Sequence, residues 1–353
     1  MGFLTSFSID EIRSRGSIRD SDVLRLRRAL EQDHAITAEE ADALIALNAE
    51  CPVKDPSWSG VFVDIVAEYL VHMRKPEGYV SADKTLWLME RIGRSGRIQG
   101  HNELELLLAV VEKARWSPPS IAAFALRQIE HSVIAGAGPL RPGHAPEPGA
   151  ISEIEVSLAR RIMLAFGIEC SLPLTRAEAE VMMGINEAVH PQKSSPAWTE
   201  LFVSAVGNAV LASLGHAVPA RADALRREAW HDSGDVRSVA ALLRDGIASV
   251  ASQQARDRLA ALSGSGSREG GVWANCRTLS PEERALSRLE RQRLEIITNE
   301  PIEEADEAWL LGRLQSKARL NDNEAALLTF IEREASVLPE SIRTLAAKAR
   351  VAA

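Results

Sequence analysis

A chain of 353 residues, 46% hydrophobic and 25% charged, is long enough for two ordinary domains and has a globular composition, which excludes disorder as a whole-chain description. A net charge of −8 argues against a general nucleic-acid binder, which needs surplus cations to displace counterions from phosphates. The aromatic share is only 5%, and an apolar content carried by alanine and leucine favours helices over strands.

Residues 1–19 are polar and are expected to form a flexible N-terminus. Their start lacks a cationic stretch followed by an apolar core, so they do not read as a secretory signal. Val23, Leu24, Leu26 and Leu30 open a helix with Arg25, Arg27 and Arg28 on its wetter face. Thr37-x-x-Glu40 is a capping box, in which the hydroxyl takes a helical amide and the carboxylate reaches back to the cap amide. Asp55-Pro56 starts another helix, with a capping carboxylate and proline at the first helical position. Trp58, Val61, Phe62, Ile65, Val66, Tyr69 and Leu70 then fall at the spacing of a buried helical stripe. Lys75 to Gly78 is a turn, and Ser81 to Ile92 a further helix. A tight loop at Gly93 to Arg97 precedes the helix of Glu103 to Trp116, and Ser117-Pro118-Pro119-Ser120 separates that helix from one over Ile121 to Ile134. Residues 135–150, rich in proline and glycine, are expected to be an interdomain linker.

Past that segment the pattern returns. Ile36-Thr37-x-x-Glu40-Ala41, Asn48, Pro56-x-Trp58, Phe62-Val63 and Val66 recur as Leu174-Thr175-x-x-Glu178-Ala179, Asn186, Pro196-x-Trp198, Phe202-Val203 and Val206. Trp87, Arg91, Arg97, Glu103, Pro118 and Ser120-Ile121 recur as Trp309, Arg313, Arg319, Glu324, Pro339 and Ser341-Ile342. Long-period self-similarity points to one fold unit used twice. The expected organisation is therefore all-α, with a helical lobe over 20–134 and a second over 151–353. The second carries an insertion at about 218–300, with helices around Ala222 to Trp230, Val236 to Leu262 and Pro281 to Ile297. A flexible tether is expected at Ser263 to Gly271.

Within each copy a helix, a short loop, an aliphatic residue and a following acid recur, as in Ile36…Glu40, Ile98…Glu103, Leu174…Glu178 and Leu320…Glu324. This pattern resembles the helix-loop-helix of EF-hands and the helical bundle of the tellurite-resistance TerB family. The first resemblance implies calcium, which can be tested position by position. A calcium loop needs oxygen ligands at its first, third, fifth and twelfth positions and a glycine at the sixth. The loops at Ile98 and Leu320 would start on Arg91 and Arg313, and the loop at Leu174 on Gly167. The loop at Ile36 would start on Ala29 and place His34 where the glycine belongs. The acids read instead as helix caps, and no metal site is assigned.

The other chemistry-bearing patterns are equally bare. Eight histidines form no HExxH pair, and no phosphate-binding or nucleophile-elbow glycine motif occurs. Cys51, Cys170 and Cys276 are far apart and fit free thiols in a reducing compartment. No run of about 18 apolar residues suggests a membrane span, so a cytoplasmic location with no membrane partner is expected. No catalytic or cofactor-binding residue is assigned. The candidate interaction surface comprises Arg91, Arg94, Arg97, Arg313 and Arg319, together with Leu242 and Leu243 on the apolar stripe of the insertion. The sequence favours a non-enzymatic interaction or scaffold protein that binds a protein partner or itself through a helical groove. Alternatives are a helical small-molecule binder or enzyme with a pocket between the lobes, or a TerB- or EF-hand-related stress or metal-responsive regulator without functional calcium loops.

Overall fold

The computed structural model describes residues 9–32, 36–141, 147–165, 173–193, 195–218, 277–317, 319–335 and 337–352. They form fourteen α-helices. The first seven are α1 (Ile9–Arg15), α2 (Asp20–Gln32), α3 (Ala38–Glu50), α4 (Pro56–Glu68), α5 (Ala82–Ile92), α6 (His101–Lys113) and α7 (Pro119–Ala135). The rest are α8 (Glu153–Ala165), α9 (Arg176–Ala188), α10 (Pro196–Ser213), α11 (Pro281–Thr298), α12 (Glu307–Gln315), α13 (Asp322–Glu334) and α14 (Glu340–Ala352). A π turn, Tyr69–Met73, extends α4. Named strands among the described residues are three two-residue pairs. β1 (Ser17–Ile18) runs parallel to β2 (Val53–Lys54), β3 (Gly93–Arg94) antiparallel to β4 (Arg97–Ile98), and β5 (His216–Ala217) antiparallel to β6 (Arg277–Thr278).

Local chemistry explains where the helices begin. Thr37, Thr175, Ser280 and Asn321 each cap a helix through a reciprocal box with Glu40, Glu178, Glu283 and Glu324. Asp55 and Ser195 cap α4 and α10 one residue ahead of a proline. Between α5 and α6, Ser95 and Gly96 both take positive φ (53° and 77°), the conformation a two-residue reversal requires.

The helices pack in a repeated order. α4 lies on α2, α3 and α6, while α5 and α6 each meet α7. In the same sequence order, α10 lies on α8, α9 and α13, while α12 and α13 each meet α14. Gly207 lets α10 approach α13 closely, since a Cβ there would sit 2.5 Å from the Phe330 ring.

Three expectations are corrected. The first concerns residues 1–19, of which 1–8 lie outside the described residues: α1 and β1 lie within the rest, with Ile12 and Ile18 buried. The Arg15 guanidinium binds Asp22 and the Ser17 carbonyl at 3.0 Å, so the polar residues here secure the two isoleucines instead of solvating a tail. The second concerns 135–150, of which 142–146 lie outside the described residues. Gly136 terminates α7 in the left-handed conformation, and Gly149 donates to Val133 at 2.9 Å and accepts from His190 at 2.7 Å. Leu140 and Arg141 are buried. Proline and glycine here set turns that dock against the core. Third, the halves are not separate lobes, because one hydrophobic core runs through both. α7 packs on α9, and α8 on α6 and α7. With apolar residues buried around most of its circumference, α7 is a central helix.

The joint is polar at one point. The Glu155 carboxylate receives Arg141 Nε and Nη2, both at 2.7 Å, Ser132 Oγ at 2.7 Å and Ser152 N at 2.8 Å. Both members of the ion pair are 1% exposed. Removing one partner of such a pair strands the other charge in a low-dielectric interior. Glu155→Ala should therefore destabilise the chain by about 3–5 kcal/mol in urea unfolding, and Arg141→Met combined with Glu155→Leu should recover most of the loss. A loss under about 1 kcal/mol for the single variant would contradict this account.

Candidate functional site

Among the described residues, each half contains one completely buried tryptophan, whose indole N–H cannot reach water. Trp58 and Trp198 are both 0% exposed. Trp58 Nε1 donates to Asn48 Oδ1 at 2.9 Å, and Asn102 Nδ2 donates to the same oxygen at 2.8 Å. Asn48 Nδ2 in turn donates to Glu103 Oε1 at 2.8 Å. In the second half Trp198 Nε1 and Asn323 Nδ2 donate to Asn186 Oδ1 at 3.4 and 2.7 Å, and Asn186 Nδ2 donates to Asn321 Oδ1 at 3.3 Å. Each asparagine thus joins three helices of its half. The recurring Asn48 and Asn186 carried this signal in the sequence, but only the indole–amide geometry gives it meaning.

A cleft opens beside each network. The first holds about 480 Å³ between Asn48, Ser59, Arg91, His101, Asn102 and Glu103. The second holds about 570 Å³ between Asn186, Thr199, Glu200, Val203, Asn321 and Asn323. Their chemistry differs. Lys54, Asp55 and Arg91 charge the first, whereas Val203 and Ala326 make the second more apolar. His101 Nε2 in the first cleft lies 3.0 Å from Glu105 Oε1. Among the described residues, no group of three or more histidines, cysteines or carboxylates is placed to hold a metal ion.

The arginines of the expected interaction surface have divided roles. Arg91 lies 4.4 Å from the Trp87 ring centre and binds Asp42 on α3, with Nη2–Oδ2 at 3.0 Å. The hydrogen bond to Asp42 tightens the hold of Arg91 on its proton. Arg313 binds Glu187 on α9 at 3.0 Å, and Lys317 binds the same carboxylate at 2.8 Å while also meeting Glu324. Arg91 and Arg313 are therefore struts between corresponding helices. Arg97 and Arg319 are exposed. Arg319 lines a groove of about 540 Å³ with Leu320, Leu345 and Lys348. Arg94 lies in β3, but its side chain is outside the description. Leu242 and Leu243 lie outside the described residues.

A further surface feature belongs to α11. Of its 18 residues only Leu294 and Thr298 are buried. Leu294 packs with Trp116, Ile302 and Tyr79. Leu286, Leu289 and Ile296 are 66%, 62% and 81% exposed. Helical geometry of about 100° per residue puts these three on one stripe, roughly opposite Leu294 and Thr298. The sequence showed this helix, but its exposed apolar stripe emerges only once the buried side is known.

One buried cation has no counterpart in the second half. Lys84 is 0% exposed, and its Nζ donates to the carbonyls of Arg74, Pro76 and Tyr79 at 2.7, 2.8 and 2.7 Å. Burial, with Arg74 nearby, lowers its pKa from 10.5 to about 8.

Comparison with protein-family models, with characterised proteins and with solved structures finds no match for this chain.

Two predictions follow from these networks. Asn48→Leu and Asn186→Leu each leave an indole N–H and an amide without a buried partner, so each should lower unfolding free energy by about 2–4 kcal/mol. A cost below about 1 kcal/mol at either position would remove its network from the account. Lys84 gives a pH signature. Between pH 8 and 10.5 the unfolded chain holds a proton that the folded chain has released, so this group favours folding increasingly as pH rises. Wild-type stability should therefore gain on Lys84→Met across that window, by on the order of 3 kcal/mol. The burial shifts of Cys51 and Tyr69 are common to both proteins and cancel. A difference that stays flat from pH 7 to about pH 10.5 would refute the assignment.

Proposed function

We propose that this chain is a non-catalytic protein-interaction protein, built from two copies of one helical unit merged into one core. The observation that carries the interaction reading is the ridge of Leu286, Leu289 and Ile296, held in water on the outward side of α11. Leu286 and Leu289 are neighbours on that side one turn apart, and apolar neighbours held in water mark protein-binding sites more often than isolated exposed residues do. The matching helix order, the paired packing and the twin tryptophan–asparagine networks support the duplication. Glu40, Glu178 and Glu324 in capping boxes fit the EF-hand-like and TerB-like reading of the hairpins as architecture rather than calcium loops. A second reading, in which the clefts take small polar ligands, is favoured by their corresponding positions beside Asn48 and Asn186.

The two readings separate by site. A photo-crosslinking residue placed at Leu289 in the full chain, expressed in its own cells, should form adducts with protein. The same residue at Ser59 or Thr199 should form none. If adducts arise only at 59 and 199, or the purified chain carries a small-molecule mass lost on Ser59→Trp and Thr199→Trp, the function belongs to the clefts.

A further inference from the structure

Resting on that interaction reading, we infer that the partner of the α11 ridge is the α11 of a second copy of this chain, docked antiparallel about a two-fold axis.

The ridge is self-complementary in both polarity and spacing. Read along its outward side, its central part runs Glu282, Leu286, Leu289, Arg293. Successive steps of four, three and four residues are the same in either direction. The centre falls between Leu286 and Leu289. An antiparallel second copy centred there would set Leu286 against the other chain's Leu289, and Leu289 against its Leu286. Glu282 would meet Arg293 of the other chain, and Arg293 its Glu282. One apolar centre and two opposite-charge pairs are thus satisfied by symmetry, as an isologous interface requires.

The surroundings permit this approach. Glu282 and Arg293 are both exposed. Arg293 makes a 3.5 Å contact with the Tyr79 hydroxyl and the Glu282 carboxylate meets the Ser280 hydroxyl, while the ion pairs of α11 use other residues. Glu283 closes the capping box, Arg284 holds the Leu279 carbonyl at 3.1 Å, and Arg291 pairs with Glu304. Residues 281–291 include no buried side chain, so this part of the helix stands clear of the body. Parallel pairing is disfavoured, because it would oppose Glu282 to Glu282 and Arg293 to Arg293. A seam with steps of three and four is the pattern by which two helices interlock.

The test uses the purified full chain. Light scattering coupled to size exclusion at tens of micromolar should give twice the 38.4 kDa chain mass. Leu286→Glu with Leu289→Glu should give the monomer, with helix content unchanged because both side chains face water in the single chain, and should abolish any rise of melting temperature with protein concentration. Glu282→Arg alone, or Arg293→Glu alone, should each weaken self-association at least about tenfold, since symmetry places two like-charge contacts in every dimer. Mixing these two single variants should restore a heterodimer, because each Arg then faces a Glu. A monomeric wild type, a dimer indifferent to the paired leucine substitutions, or a mixture that fails to associate would overturn the proposal. Crosslinks from Leu289 resolve the rest. Adducts between two copies of the chain support self-pairing. Adducts only with a different protein overturn self-pairing but leave the interaction reading standing. No adduct at all removes both.

Discussion

A buried indole carries one N–H that water cannot reach, and that single donor constrains both halves of this protein. Trp58 and Trp198 must find an acceptor inside the packed helices, because an unmet donor there costs about 1–3 kcal/mol. A side-chain amide is a good solution, since its oxygen accepts twice and its nitrogen still donates. Asn48 therefore takes the indole of α4 and the amide of Asn102 on α6 while remaining on α3. Asn186 does the same for α10, α13 and α9. The ring neighbours follow from that placement, with Phe62 and Phe202 one turn on and centred 5.8 and 6.1 Å from the indoles. Beside each of these oxygens, where three helices converge, a cleft opens.

Much of this was legible in the sequence because it is local. A hydroxyl or amide three residues before a glutamate sets a helix start whatever lies around it, as at Thr37, Thr175, Ser280 and Asn321. The stripe beginning at Trp58 was legible for the same reason. What escaped depends on partners distant in sequence. The contact of Arg91 with Asp42 was invisible because the two lie 49 residues apart. The segment around Pro139 looked slack because nothing local reveals that Arg141 meets Glu155 in the core. Ile12 looked solvated among charges, although its surroundings bury it completely. Tertiary structure reassigned each of these residues, and around Ile12 it goes with a helix, α1, that the sequence did not show.

The halves also differ for a physical reason. In the first, α4 with its π turn reaches α5 through the short turn at residues 74–79, and Lys84 satisfies three carbonyls of that turn. In the second, the corresponding junction between α10 and α12 is where the chain runs through residues 214–306. Lys84 matches Asp306 in the repeat, and Asp306 instead caps α12 by accepting from Trp309 N at 2.8 Å. A lysine there would have no carbonyl-lined turn to hold, whereas an acid is favoured at a helix start. The exchange of a buried cation for a capping anion follows directly from the longer connection.

That connection also returns to the first half. Glu300 accepts from Ser120 N and Oγ at 2.8 and 2.6 Å, and Leu294 and Ile302 pack on Trp116. The C-terminal end of α11 is thereby fixed to the start of α7, the central helix of the shared core. Its N-terminal end is held by Ser280, Pro281 and Glu283 and by the short β5–β6 pair. A helix anchored at both ends but buried at only two residues draws little hydrophobic stabilisation from its own chain. Such anchoring presents Leu286 and Leu289 at a fixed height and rotation, so docking on them forfeits little conformational entropy. The same anchoring explains how the ridge stays helical before any partner arrives: caps and terminal contacts supply the order, and the leucines remain available to bury their surface against another helix.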